Sequence, residues 1–254
     1  MTLADFEPWT DEAERAVREI ARREARAAGM VMRTVLHLGG KAEGMLGRLP
    51  APARRTLEDV TLKALEHAHD AAARFADVSR APRLGAWSNR AAVTATGAAG
   101  GFAGLPGLVV EVPATVTIMF GAIQRVAAGH GFDPRDPATR LEAVRVFGSG
   151  GPRAADDGVD TSFVTSRVAI NGPLVHAMLR SVAPRFAAVL GQKLAAHAVP
   201  VLGAVAGAGV NWVFLSYYEE MAQVRFGLAR LASEHGAERV QAAFAAASRE
   251  VRGR

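Results

Sequence analysis

Apolar residues near the amino terminus recur about every 3.6 positions, the spacing of one face of an α-helix. Thr10 precedes Asp11 and Glu12, and this order predicts a helix start, because the threonine oxygen can cap free amides and acidic groups suit the helix dipole. A second apolar stripe predicts a helix from about residue 53 to residue 78: Leu57, Val60, Ala64, Leu65, Ala68, Ala72 and Phe75. We therefore expect residues 1–85 to form an amphipathic helical hairpin that packs on the rest of the chain.

Long stretches without charged side chains begin after Pro82 and Gly85. They cover residues 91–110, 112–124 and 194–218. Glycines four positions apart within them share one helix face, where small residues let two helices approach closely; these pairs are Gly97/Gly101, Gly100/Gly104 and Gly203/Gly207. The pattern favours two Gly/Ala-rich apolar helical regions in the centre of the protein.

Helix signals also surround these stretches. Asp136 before Pro137 predicts a capped helix start, and a last amphipathic helix is expected from about residue 237 to residue 251. Aromatic residues make up only 6% of the chain, and alternating β-branched segments are missing, which argues against a large sheet. We expect an all-α, multi-helix bundle in which residues 86–254 form the core, together with residues 1–85 in one structural domain.

Three interpretations of the charge-free stretches remain open from the sequence. They can span a membrane, although their glycine, alanine and proline gain little from hydrocarbon. They can be core helices of a bundle. They can also form a helical hairpin that is partly buried and partly available to a bilayer or to a membrane-embedded partner.

The distribution of charge bears on the third interpretation. The net charge is +5, and residues 161–218 contain no aspartate or glutamate. Basic residues in this region can attract an anionic surface, or they can face solvent or pair with acids elsewhere. The candidate contacts with a membrane or partner are four apolar and three basic side chains: Phe102, Leu105, Leu108, Trp212, Arg180, Arg185 and Lys193.

Polar residues within the apolar regions give an alternative hypothesis. Asn211 and Tyr218 are seven positions apart, so they share a helix face and can hydrogen-bond to another helix. The alternative is a bundle with a small-molecule-binding or enzymatic cleft around five residues: Glu111, Gln124, Arg125, Asn211 and Tyr218.

A search for chemistry yields no catalytic, metal or cofactor prediction. The chain has no cysteine, its histidines lack ligand spacing, and its glycine-rich stretch lacks the Lys-Ser/Thr of a P-loop. No dense basic cluster interleaved with aromatic residues indicates nucleic-acid binding.

The first residues lack the basic start and apolar run of a secretory signal, which predicts a cytoplasmic protein. The dominance of arginine over lysine indicates a GC-rich bacterial genome. The oligomeric state is not predicted.

An ordered set of segments resembles the EcsC protein family from about residue 57 to residue 231. The set is GAAGGFAGLPG at 97–107, EVP at 111–113, IQRVA at 123–127, GFDP at 131–134 and VPVLGAVAGAGVN at 199–211. The resemblance implies an α-helical protein whose biochemical activity is not established. Since the family is named for a bacterial protein encoded beside an ABC transporter, the resemblance also implies a membrane-proximal role by association. We therefore expect a non-enzymatic, peripheral membrane-associated regulator or partner of a membrane protein.

Overall fold

The computed structural model describes residues 6–39, 51–75, 113–148 and 200–253, with the isolated helical positions 91, 94, 95, 177, 179–181 and 183. These residues form helices and the turns that join them, and no strand occurs among them. The all-α prediction is confirmed. The helices are α1 (Asp11–Gly39), α2 (Ala51–Phe75), α3 (113–129), α4 (Pro137–Gly148), α5 (Pro200–His235) and α6 (Ala237–Arg252).

The predicted helix starts coincide with observed caps. The Thr10 hydroxyl oxygen accepts the Ala13 N–H at 3.1 Å, and α1 begins at the following Asp11. The Asp136 carboxylate accepts the Thr139 N–H at 3.3 Å at the start of α4. Each cap satisfies an amide that has no partner within its own helix, which is why these short local patterns could be recognised in the sequence.

The long helix α5 forms the centre of the described bundle. Helix α1 runs antiparallel to it: the Glu7 N–H donates to the Glu234 carbonyl at 2.8 Å near one end, and Arg23 pairs with Glu220 at 3.5 Å further along. The two helices approach closely at Gly227, where an added Cβ would lie 3.2 Å from the Ile20 Cδ1 atom. A Cβ at this crossing would require the Ile20 side chain to shift by a few tenths of an ångström.

Helix α3 runs parallel to α5. Thr115 near the start of α3 meets Asn211, while Phe132 just beyond its end packs on Phe226 with ring centroids 5.5 Å apart. Parallel neighbours require a long connection, and here the connection includes α4. Helix α4 then returns antiparallel, so that Phe147 lies between Phe120 and Tyr218.

Two clusters of buried side chains hold these helices together. The larger cluster joins α2, α3, α4 and α5, with Leu65, Phe120, Phe147 and Tyr218 among its buried members. The second joins α1, the end of α5 and α6: Val17, Ala21, Val224, Leu228, Ala232, Val240, Phe244 and Ala247. Both expected amino-terminal helices exist, but α1 packs mainly on α5 and α6, whereas α2 packs on α4.

The segment before α1 is attached to the corner between α5 and α6. Gly236 makes this corner with φ of 90°, and an added Cβ there would meet the Phe6 ring at 3.3 Å. Trp9 packs edge-on against His235 with centroids 5.6 Å apart. The first described residues thus contact α5 and α6.

None of the helices in the described ranges has the combination of length and apolar composition that crossing a bilayer requires. The apolar stretch at 91–110 and the start of the stretch at 194–218 lie largely outside those ranges.

Candidate functional site

Two of the charge-free stretches lie side by side at one end of the bundle. The Asn211 Nδ2 atom donates a hydrogen bond to the Thr115 hydroxyl at 3.4 Å, and both residues are buried. Because α3 and α5 are parallel, their uncharged halves, 113–124 and 200–218, extend in the same direction. The first charged residue after each half is Arg125 in α3 and Glu219 in α5, and these two interact electrostatically. Within α3 and α5, the uncharged halves therefore end at the same level, which Arg125 and Glu219 mark; these two halves are called the uncharged end below.

Trp212 lies on the surface of this end. Its exposed fraction is 42%, and it is the exposed large hydrophobic side chain among the residues that the structure describes. Gly209, almost one turn earlier, is also exposed, whereas Val213 and Ile118 are half-buried. Trp212 is thus a single partly exposed indole on the uncharged half of α5.

Arg125 borders the same end. Its guanidinium folds back along α3, so that the Nη1 atom lies 3.9 Å from the position of a Cβ on Gly121. Partial burial lowers the pKa of Arg125, and the nearby Glu219 carboxylate opposes this effect. The side chain as a whole is nevertheless exposed, so the guanidinium is a surface cation that solvent and ligands can reach.

The remaining predicted contacts are only partly described. Arg180 is exposed on a helical segment whose neighbours Leu179 and Ala183 are buried in the larger cluster. This placement puts a basic side chain outside an anchored helix. The other predicted contacts lie outside the described residues: Phe102, Leu105, Leu108, Arg185 and Lys193.

The predicted polar cluster separates into several environments. Asn211 bonds to another helix, as predicted, and Tyr218 is fully buried two turns further along α5. The Tyr218 ring packs on Phe147 at 4.9 Å between centroids, and burial raises the pKa of its hydroxyl well above the usual value. Gln124 is buried, and its Nε2 atom has no hydrogen-bond partner among the described residues.

The structure thus brings Asn211 to Thr115 and Arg125 to the vicinity of Glu219. Glu111 lies outside the described residues. In the parts of the chain that the structure describes, no group of three His, Asp or Glu side chains is arranged to hold a metal ion.

A buried ion pair was missed at the level of sequence. Glu142 in α4 pairs with Arg225 in α5 inside the bundle, and Arg145 lies 3.4 Å from the same carboxylate. The side chains of Glu142 and Arg225 are 2% and 6% exposed. The sequence did give a weak indication that Arg225 is buried: its spacing puts it on the same helix face as Ala222 and Ala229, which are buried. This pair fixes α4 against α5 below the uncharged end.

Comparison with known proteins identifies one family. A sequence model described as the EcsC protein family matches residues 53–231, which is more than half of the chain. The match includes α3, α4 and nearly all of α5, hence the uncharged end and the buried ion pair. Helix α1 precedes the matched region and α6 follows it. No curated protein and no solved structure matches the chain.

Proposed function

We propose that this chain, which belongs to the EcsC protein family, is a non-enzymatic, peripheral membrane-associated protein. It acts from the cytoplasmic side as a regulator or partner of a membrane protein such as a transporter. The uncharged end of α3 and α5 contacts the bilayer while the rest of the bundle stays in water.

The observation that carries this proposal is the position of Trp212. The side chain is exposed, and it lies within the uncharged half of α5, seven residues before the first charge at Glu219. Tryptophan favours the boundary between hydrocarbon and water, because its ring is apolar and its N–H remains able to hydrogen-bond. An indole that hides ~100 Å² from water gains about 2.5 kcal/mol at ~25 cal/mol per Å².

Basic residues add a second attraction. Arg180 is exposed, and residues 161–218 contain no acid that would repel an anionic leaflet. Arg185 and Lys193 belong to the same acid-free region. Each basic side chain near such a surface contributes ~1 kcal/mol, which falls as salt is added.

Vesicle flotation tests the proposal. Full-length protein is mixed with phosphatidylcholine vesicles, with or without phosphatidylglycerol, and floated through a density gradient. We expect flotation with the anionic vesicles, and a decrease in bound protein of about tenfold or more for Trp212→Ala. Trp212→Phe is the matched control, since it keeps most of the apolar area and should retain most of the binding.

Cell fractionation tests whether the protein associates with membranes through a membrane-protein partner. The wild type is expected in the membrane fraction and Trp212→Ala in the supernatant. A wild type that neither floats nor sediments with membranes contradicts the proposal.

A further inference from the structure

We infer that Arg125 is a headgroup-binding residue of the same surface and that it binds the phosphate of an anionic phospholipid. The inference rests on the proposed membrane contact and extends it by naming the lipid group that the surface recognises. Arg125 is far from the acid-free region of residues 161–218 in sequence, and it joins the surface only through the parallel pairing of α3 with α5.

The register of α3 against α5 sets the height of Arg125 above Trp212 along the helix axes. Starting from the Thr115–Asn211 hydrogen bond, Arg125 is ten residues further along α3 and Glu219 is eight residues further along α5. At a rise of about 1.5 Å per residue, the two charges stand roughly 12–15 Å above that bond. Trp212 stands almost level with the bond, next to Asn211.

The direction of the Arg125 side chain shortens the axial distance between its guanidinium and Trp212. The guanidinium reaches back over Gly121, one helical turn toward the uncharged end. One turn is about 5–6 Å, so the guanidinium is roughly 7–9 Å above Trp212 along the helix axes. The interfacial layer of a bilayer leaflet is about 5–8 Å thick, which matches an indole near the hydrocarbon boundary and a cation among the phosphates.

The surroundings of Arg125 favour an anionic ligand. The side chain makes no hydrogen bond or ion pair with the described residues, and the Glu219 carboxylate acts on it only through the electrostatic field. Arg125 is exposed and has no direct counter-ion among the described residues, so it can bind a phosphate without first giving up an ion pair with any of them. Its planar donors also fit two phosphate oxygens at once.

The test compares Arg125→Gln with Arg239→Gln in the full-length protein. Arg239 is exposed on α6, away from α3, so its replacement removes the same charge without touching the surface. Binding to phosphatidylcholine vesicles is measured with and without phosphatidylglycerol, at low and high salt. Circular dichroism verifies that both variants fold, and Arg125→Lys tests the need for a planar donor pair.

We expect Arg125→Gln to bind anionic vesicles about fivefold less tightly than the wild type, with a smaller loss on neutral vesicles, because choline offsets the phosphate charge of phosphatidylcholine. Arg125→Lys should fall between them, and Arg239→Gln should bind like the wild type. Equal binding by Arg125→Gln and Arg239→Gln, with the wild type still bound, overturns the role of Arg125 and leaves the membrane contact intact. Absence of wild-type binding to either vesicle overturns direct lipid contact and the role of Arg125 together.

Discussion

Glu142 and Arg225 form an ion pair in the interior of the bundle, where α4 crosses α5. Both side chains are almost fully buried, and Arg145 adds a second, partly exposed cation 3.4 Å from Glu142. The cost of removing two charges from water is offset only while both are present, since either one alone would remain buried without compensation. The pair therefore makes the packing of α4 on α5 sensitive to single substitutions.

Replacing Arg225 by methionine is expected to lower the free energy of unfolding by about 3–5 kcal/mol, because Glu142 keeps only Arg145. Urea denaturation followed by circular dichroism measures the change. The double variant Glu142→Met with Arg225→Met should lose less than the single variant, as no buried charge is then left alone.

The surface pair of Arg230 and Glu234 supplies a control for this experiment, since Arg230 is 59% exposed. Replacing Glu234 by glutamine should change the free energy of unfolding by less than ~1 kcal/mol. If Arg225→Met lowers the free energy of unfolding by no more than Glu234→Gln does, the Glu142–Arg225 pair is not buried away from water as described.

Glu24 is expected to make stability depend on pH. Burial among α1, α5 and α6 raises the pKa of Glu24, and Arg252 and Ser248, each 3.5 Å from the carboxylate, oppose the rise. A carboxyl whose folded pKa exceeds its unfolded value of 4.5 stabilises the fold at low pH, and this contribution is lost as pH rises through the folded pKa. Glu24→Gln should therefore gain stability relative to the wild type between pH 4 and pH 8, as measured by thermal unfolding at each pH.

Glu19, which is also in α1, is a control for Glu24, because its pKa is shifted in the opposite direction. A hydrogen bond from Arg26 lowers the pKa of Glu19, so its stabilising contribution is present above 4.5 and disappears as pH falls through the folded pKa. Glu19→Gln should lose stability relative to the wild type at neutral pH and approach it in acid. Parallel pH curves for the two variants would contradict both assignments.

The hydrogen bond between Asn211 and Thr115 is expected to fix the rotation of α5 beside α3. At 3.4 Å it is long, so we expect a coupling energy near the lower end of the usual ~0.5–1.5 kcal/mol. A double-mutant cycle of Asn211→Ala and Thr115→Val measures this coupling. No coupling would show that the register of the two helices depends on the apolar contacts alone.

Gly236 and Gly131 distinguish the cost of backbone strain at positive φ from the cost of a steric contact with a neighbouring side chain. Both have positive φ, 90° and 86°, but only Gly236 is covered by a side chain, the Phe6 ring at 3.3 Å. Gly131→Ala should cost about 1 kcal/mol of backbone strain, and Gly236→Ala should cost more because Phe6 must also move. Gly29→Ala should be neutral or stabilising by up to ~1 kcal/mol, since Gly29 is helical and an added Cβ meets nothing within 4 Å. Chemical denaturation of the three variants orders these effects.

Local structure was largely predictable from the sequence. The caps at Thr10 and Asp136 depend on neighbouring residues, so the starts of α1 and α4 followed from short patterns. The last helix was expected from residue 237 to residue 251 and is observed as Ala237–Arg252. The EcsC assignment was also confirmed, because an ordered set of short segments identified the family.

Long-range pairing was not predictable in the same way. Nothing near Thr115 indicates that Asn211, 96 residues later, will be its partner. The alignment of Arg125 with Glu219 follows from that pairing, so the candidate surface could be listed from the sequence but not assembled. Arg225 carried a weak signal in its buried helix face, whereas Glu142 shows no local pattern that distinguishes a buried carboxylate from an exposed one.

The attachment of the first described residues to the corner at Gly236 has a consequence for biosynthesis. The apolar face of α1 packs on Val224, Leu228 and Phe244, which the ribosome adds about 200 residues after α1. At about 5–20 residues per second, the interval between Ile20 and Gly227 is roughly 10–40 s. During that time the amphipathic face of α1 lacks its partners in α5 and α6, so a nascent chain of this protein is accessible to chaperones until these two helices emerge.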